Sequence, residues 1–125
     1  MNDGQYLRMA AIVAESSKCV SLKVGAVLVR EGRIISIGYN GTPPGTPNCC
    51  DVHKERGPEH SEWSNRWEIH AEMNCILFAG RNGISVENTT MYTTIEPCTQ
   101  CLKNMAAAGV KFIVYSEPYY RETID

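Results

Sequence analysis

Two stretches of sequence decide the fold of this 125-residue chain: His-Ala-Glu at residues 70–72 and Pro-Cys-Thr-Gln-Cys at residues 97–101. Together they supply one imidazole, from His70, and two thiols, from Cys98 and Cys101. This set suits a zinc ion with three protein ligands, and three ligands leave the fourth tetrahedral position open, as in catalytic zinc sites. We therefore expect the two stretches to meet at one metal site.

Glu72 lies two residues after the imidazole, close to the expected metal but without a ligand role. Zinc lowers the pKa of a bound water to about 7, and a nearby unligated carboxylate can carry that water's proton to a substrate. This combination of zinc ligands and glutamate is the signature of nucleobase deaminases. A Cys-x-x-Cys pair alone would also suit a redox centre or half of a structural zinc site.

Both stretches are expected to begin helices, at residues 70–80 and 98–108, with Pro97 at the start of the second. Helix N-terminal ends favour anions and would keep thiolates and a carboxylate ionised.

Apolar periodicity and turn residues predict the other elements: a helix over residues 6–17 and strands over residues 24–29, 33–38, 89–95 and 110–115. The strands at 24–29 and 33–38 should form a hairpin. The polar segment 39–68, rich in proline and glycine near its start, is expected to be a loop without regular structure. The order α-β-β-α-β-α-β predicts an α/β fold, a three-layer α/β/α domain with a mixed sheet.

Length and composition are those of one globular domain over residues 1–125. With 12 basic and 14 acidic residues and a net charge of −2, the chain is a poor match for a polynucleotide partner, which normally needs a basic surface. No signal peptide or membrane span is recognisable, which favours a cytoplasmic location without a membrane partner. Six cysteines in such a chain are more typical of metal ligands than of disulfides.

The two motifs resemble the cytidine/deoxycytidylate deaminase superfamily, and three further segments resemble its deoxycytidylate branch. These segments are Gly-Tyr-Asn-Gly-Thr-Pro at residues 38–43, Asn-Cys-Cys-Asp at residues 48–51 and His-Ser-Glu-Trp at residues 60–63. The resemblance implies a cytidine deaminase-like fold and hydrolytic conversion of dCMP to dUMP and ammonia. By matching position, it implies that the imidazole and the two thiols bind a catalytic zinc and that Glu72 is the proton shuttle.

The resemblance also implies a second, structural zinc bound by Cys19, Cys49, His60 and Glu68. A metal there would offset the entropy of ordering the long polar segment. The alternative is that the two cysteines are small buried thiols and the histidine is an ordinary surface residue.

Substrate contacts implied by the resemblance are Asn40 at the sugar, the Ala71 backbone N–H at the pyrimidine carbonyl, and Ala26. Asn40, between tyrosine and glycine, also suits a turn. For the phosphate the sequence leaves as candidates Lys23, Lys54, Arg56 and Arg121, or a residue from another subunit, and each of these also suits an ordinary solvated charge. For the wall of the pocket the candidates are Tyr115, Tyr119 and Tyr120, which also suit packing at the end of the sheet.

Regulation and assembly are likewise implied by the resemblance: a homohexamer, activation by dCTP with Mg²⁺, and inhibition by dTTP. By the resemblance, the effectors would bind a loop that contains Gly38, Tyr39, Gly41 and Thr42. The subunit interface would contain Phe78 and Arg81. The last two also suit core and surface positions. The metal motif itself leaves other functions open: a tRNA adenosine or other polynucleotide deaminase, a free cytidine deaminase, or a non-catalytic zinc-stabilised nucleotide-binding module.

Overall fold

The structure is a computed structural model that describes residues 1–118 of the chain. Its elements follow in this order: α1 (Asp3–Ala14), β1 (Gly25–Arg30), β2 (Arg33–Tyr39), α2 (Cys49–Val52), α3 (Pro58–Trp67), α4 (Ala71–Arg81), β3 (Thr89–Ile95), α5 (Thr99–Ala108) and β4 (Val110–Glu117). None of these helices is long and apolar enough to cross a membrane. The candidates Tyr119, Tyr120 and Arg121 lie outside the described residues.

The strands form one mixed sheet in the order β2-β1-β3-β4. β1 pairs antiparallel with both β2 and β3, whereas β3 and β4 run in parallel. The predicted hairpin is therefore confirmed as β1 and β2. The parallel pair is joined by α5, because parallel neighbours need a crossover connection.

Alternating side chains of β1 and β3 build two separate core layers. Ala26, Leu28 and Met91 pack with residues of α4 and α5, whereas Val27 and Tyr92 pack with residues of α1. Because successive strand residues point to opposite faces, each strand contributes to both layers. Helices thus cover both faces of the sheet, which confirms the three-layer α/β/α fold.

The expectation that residues 39–68 lack regular structure is wrong, because this segment contains α2 and α3. The sequence does carry end signals for α3. Pro58 lies at its start, Glu59 in its first turn and Arg66 in its last turn, an arrangement that suits the helix dipole. His60 is the buried residue of this helix, so its apolar periodicity is too weak to reveal it.

All three predicted helices begin at positions other than the predicted ones. α4 starts at Ala71, because His70 is its N-cap. α1 starts before Tyr6, because Asn2 and Gln5 form a capping box with bonds of 2.9 and 2.8 Å between side chain and backbone. Such a box satisfies two backbone donors that the helix itself leaves free. In α5 the N-cap is Cys98, so Pro97 precedes the helix instead of occupying its first position.

α4 meets the sheet at Gly38 of β2. A Cβ atom at Gly38 would lie 2.5 Å from the Ala71 carbonyl oxygen and 2.6 Å from the Cys75 nitrogen. Only glycine allows two backbones to approach so closely. This contact fixes the N-terminal end of α4, from which the His-Ala-Glu motif projects.

Candidate active site

The three predicted ligands of the catalytic zinc lie together at the N-terminal ends of α4 and α5. His70 is the N-cap of α4, Cys98 is the N-cap of α5, and Cys101 lies within the first turn of α5. His70 Nδ1 is 3.3 Å from Cys101 Sγ and 3.6 Å from Cys98 Sγ. Tetrahedral zinc with bonds of about 2.0–2.1 Å to nitrogen and about 2.3 Å to sulfur would place such atoms about 3.6 Å apart. Donor types and spacing therefore fit zinc.

Burial makes the ionised form of the Cys101 thiol dependent on a nearby cation. Cys101 is 3% exposed, and burial raises the pKa of its thiol far above the ordinary value, with Glu72 adding to the shift. Coordination reverses this preference, because a metal-bound thiol loses its proton outright. His70 is exposed and Cys98 is half-buried, so the group is closed on the protein side and accessible on the other.

Glu72 lies in the first turn of α4 and is 4% exposed. Burial raises the pKa of its carboxyl above the ordinary value. A raised pKa suits a group that must take up and release a proton near neutral pH. The Thr93 hydroxyl, which motif reasoning missed, lies 3.5 Å from Glu72 Oε1.

The four ligands expected for a second zinc also come together. His60 Nε2 is 3.0 Å from Cys49 Sγ, 3.6 Å from Cys19 Sγ and 3.6 Å from Glu68 Oε1. All the ligand atoms of this group lie within 4.8 Å of one another. Four protein donors would fill a tetrahedron, as structural zinc sites require.

Two details of this second group suit a bound cation. Burial raises the pKa of Cys19 to about 12, so its thiol would stay protonated without a positive partner. Glu68 Oε2 is buried and has no hydrogen-bond partner within residues 1–118. An orphaned carboxylate oxygen is costly, and a metal ion is one partner that would remove the cost.

A cavity of about 470 Å³ borders both groups. His70 and Cys98 of the first group line it, as does Glu72 beside them. Cys19, His60 and Glu68 of the second group line it as well. Its volume is in the range of small-molecule sites. The two donor groups therefore face a single space that can hold a ligand.

Asn40 and Ala71, two of the predicted substrate contacts, line this cavity. Asn40 Oδ1 accepts from the Val24 N–H at 2.8 Å, and its Nδ2 donates to the Leu22 carbonyl at 2.7 Å. These bonds fix the cavity wall. Within residues 1–118 the second hydrogen on Nδ2 has no acceptor, so it is left for a ligand. Ala26, the third predicted contact, is fully buried in the core layer under α4 and is not brought to the cavity.

The predicted effector loop lies beside the segment that joins α3 to α4. Gly41 pairs with Ile69 through two backbone bonds of 3.1 and 2.7 Å. Tyr39 is 40% exposed, and Thr42 Oγ1 donates to the Thr46 carbonyl at 3.3 Å. The loop therefore contacts the chain between Glu68 and His70.

The remaining predicted residues lie away from the cavity. Phe78 is 52% exposed on α4, where Arg81 is also exposed. Among the described residues that line the cavity there is no lysine or arginine. The phosphate candidates Lys23, Lys54 and Arg56 are thus not brought to it.

Comparison with known proteins agrees with this geometry. The family model described as the cytidine and deoxycytidylate deaminase zinc-binding region matches residues 1–117. The chain is 44% identical to the deoxycytidylate deaminase of Enterobacteria phage T4, covering 95% of this chain and 79% of that protein. It is 36% identical to the deoxycytidylate deaminase of Schizosaccharomyces pombe, covering 94% of this chain and 37% of that protein.

A solved structure shares the same architecture. The crystal structure of dCMP deaminase from the cyanophage S-TIM5, in complex with dCMP and dUMP, matches with a TM-score of 0.78 and 32% identity. The match covers 93% of this chain and 81% of that one. On sequence and fold together, the chain belongs to the cytidine and deoxycytidylate deaminase family.

Proposed function

We propose that this protein catalyses the zinc-dependent hydrolysis of dCMP to dUMP and ammonia. The observation that carries the proposal is the position of Glu72, which is buried next to three zinc donors but is not part of their group. A purely structural metal site has no use for such a carboxyl. The phage relative is named a deoxycytidylate deaminase, and the cyanophage structure contains dCMP and dUMP, which favours a nucleotide substrate.

In this proposal His70, Cys98 and Cys101 hold the catalytic ion. Zinc bound there supplies a nucleophile at neutral pH, because it lowers the pKa of a coordinated water to about 7. The two thiols lie at the N-terminal end of α5, whose partial positive charge partly offsets the cost of burying a thiolate next to the metal.

The chain's own residues orient the base and move the protons. The Ala71 N–H belongs to the first turn of α4, where backbone donors have no partner within the helix, and it donates to the pyrimidine carbonyl. Glu72 takes one proton from the attacking water and delivers it to the ring nitrogen. It then takes the second proton, from the hydroxyl now on the ring carbon, and delivers it to the amine. The carbon–nitrogen bond breaks, ammonia leaves, and a carbonyl takes its place. Asn40 donates its free Nδ2 hydrogen to the sugar.

We also propose that Cys19, Cys49, His60 and Glu68 hold a structural zinc. In support, these residues come from parts of the chain that are far apart in sequence, and their donor atoms converge in a buried spot. An ion there would tie α2 and α3 to the start of β1 and add its binding free energy to the stability of the fold.

The proposal also covers assembly and regulation. The protein would be a cytoplasmic homohexamer with Phe78 and Arg81 in a subunit interface. It would be activated by dCTP with Mg²⁺ and inhibited by dTTP, both bound at residues 38–42. The 52% exposure of Phe78 supports an interface, since aromatic residues and arginine are enriched there. The Gly41–Ile69 pairing supports coupling of the loop to the active site. Activity on dCMP should then respond to dCTP, and an identical hyperbolic curve with and without dCTP would contradict this regulation.

The test is an ammonia-release assay on dCMP, dCTP, deoxycytidine and a tRNA hairpin, each with and without a zinc chelator. We expect dCMP to be preferred and the chelator to abolish turnover. Glu72→Gln should lower kcat by about 10²–10⁴-fold while zinc content stays constant. Glu15→Gln, an exposed change at the end of α1, is the matched control. Full activity of the Glu72 variant would refute the shuttle.

A further inference from the structure

A fully buried hydroxyl lies against the carboxyl of Glu72. Thr93 of β3 is 0% exposed, and its Oγ1 is 3.5 Å from Glu72 Oε1 and 3.1 Å from the Ile95 carbonyl oxygen. We propose that Thr93 is a positioning residue that holds the Glu72 carboxyl in place beside the metal cluster. This inference rests on the proposed deaminase function.

The sheet neighbours of Thr93 in the core are apolar, which makes its hydroxyl informative. Strand alternation places Thr93 on the same face as Met91, and its register partner in β1 is Ala26. Met91 and Ala26 are fully buried core residues. Burying a hydroxyl in such a layer costs free energy unless it is hydrogen-bonded, whereas valine would fill the same volume without that cost.

The two partners of Thr93 explain why a hydroxyl is useful there. It carries one proton and two lone pairs. Its oxygen lies 3.1 Å from the Ile95 carbonyl oxygen and 3.5 Å from Glu72 Oε1, so the Ile95 contact orients the hydroxyl while it touches the carboxyl. The contact restricts the side-chain torsions of Glu72 and holds the carboxyl beside the metal cluster.

A second side chain, that of Cys101, also interacts with Glu72, but the proposed mechanism already uses it to bind zinc. The Cys101 thiol interacts with this carboxyl and, like Thr93, lowers its pKa against the larger effect of burial. Cys101 is a proposed zinc ligand, so its sulfur serves the metal. Thr93 is therefore the partner that is left to restrict the rotamer of Glu72.

Thr89 provides a matched control on the same strand. It is 1% exposed, and its Oγ1 donates to the Val86 carbonyl at 2.6 Å. It lies at the opposite end of β3 from the metal cluster. Thr89→Val and Thr93→Val therefore make the same chemical change at equal burial, and only the second removes a contact to Glu72.

The experiment measures kcat, KM and zinc content for the full chain on dCMP. For Thr93→Val we expect kcat to fall about tenfold, as for one lost hydrogen bond, with KM and zinc content unchanged. Thr93→Ser should retain most of kcat. Thr89→Val should lower the unfolding temperature but leave kcat of the folded protein unchanged.

Wild-type kcat in Thr93→Val, or an equal loss in Thr89→Val, would overturn the inference. If Thr93→Val does not fold, Thr93→Ser and Thr93→Ala decide the matter, since both lack the methyl group and only serine keeps the hydroxyl. We expect serine to exceed alanine by about tenfold in kcat, and equal values would refute the positioning role. Failure of zinc-loaded wild type to deaminate dCMP would instead refute the proposed function.

Discussion

Gly38→Ala is the substitution that most directly links the fold to the chemistry. The added Cβ would lie 2.5 Å from the Ala71 carbonyl oxygen, whereas ordinary contact begins at 3.4 Å. The start of α4 would therefore have to move by about 0.9 Å, the difference between these distances. Overpacking of this kind costs about 1–3 kcal/mol, and we expect a value near the upper end because both sides of the contact are backbone.

The displacement should reduce activity more than stability alone explains. His70 and Glu72 lie at the end of α4 that would shift, and a 1 Å misplacement of catalytic groups can cost about 100-fold in rate. A loss of about 3 kcal/mol would lower the unfolding temperature by roughly 9–18 °C for a chain of this size. Thermal unfolding and kcat of the folded fraction measure the two effects separately.

Gly80→Ala on α4 is the control, because a Cβ there would meet nothing within 4 Å. It should leave kcat unchanged and raise stability by roughly 0.5–1 kcal/mol through helix propensity. If Gly38→Ala has wild-type unfolding temperature and kcat, the close approach of β2 and α4 does not position the site, and the reasoning fails.

Three further changes probe other parts of the molecule. His60→Ala should reduce zinc from two ions per chain to one and lower the unfolding temperature more than it lowers kcat, as metal analysis and thermal unfolding would show. Asn40→Ala should cost about 1–3 kcal/mol, because a buried backbone donor loses its partner, and should raise KM for dCMP. Tyr92 donates to Asp3 at 2.6 Å, and burial, with Asp3 adding to it, raises the pKa of Tyr92 to about 12. Because the folded pKa exceeds the ordinary 10.0, this group's stabilisation is complete below pH 10 and is lost between about pH 10 and 12. Tyr92→Phe should therefore weaken the fall in unfolding temperature over that range.

Each of these expectations has a contrary result. Two zinc ions per chain in His60→Ala would show that the second group does not depend on this imidazole. An unchanged KM in Asn40→Ala would remove its role at the sugar. Parallel pH dependence of wild type and Tyr92→Phe above pH 10 would show that the tyrosine is not the titrating group.

The sequence was sufficient to predict the sheet and the first metal group, for physical reasons. β1 reads as a short apolar run because both of its faces are covered, by α1 on one side and α4 on the other. His70 and Cys98 could be placed together because both precede helices that start from the same edge of the sheet. The spacing of the motif residues and the order of the helices and strands both predicted that these two ligands would lie close together.

α3 and the role of Thr93 could not be read from the sequence. The helix buries His60 and little else, so it depends on tertiary contacts more than on an apolar stripe. Threonine is a favourable strand residue anywhere, and its relation to Glu72 exists only once β3 lies under α4. Asn40 was predicted as both a turn residue and a ligand contact, and its two bonds to the backbone of residues 22–24 became visible only in three dimensions.

The segment between β2 and α4 is fastened near both of its ends, by the pairing of Gly41 with Ile69 and by the convergence of Cys49, His60 and Glu68. Lengthening a loop whose ends are held costs little, about 0.6 kcal/mol per doubling. The alignment with the phage T4 protein runs over 153 positions, more than the 125 residues of this chain. By this argument, added residues between Cys49 and His60 would cost little stability and would leave the catalytic cavity in place.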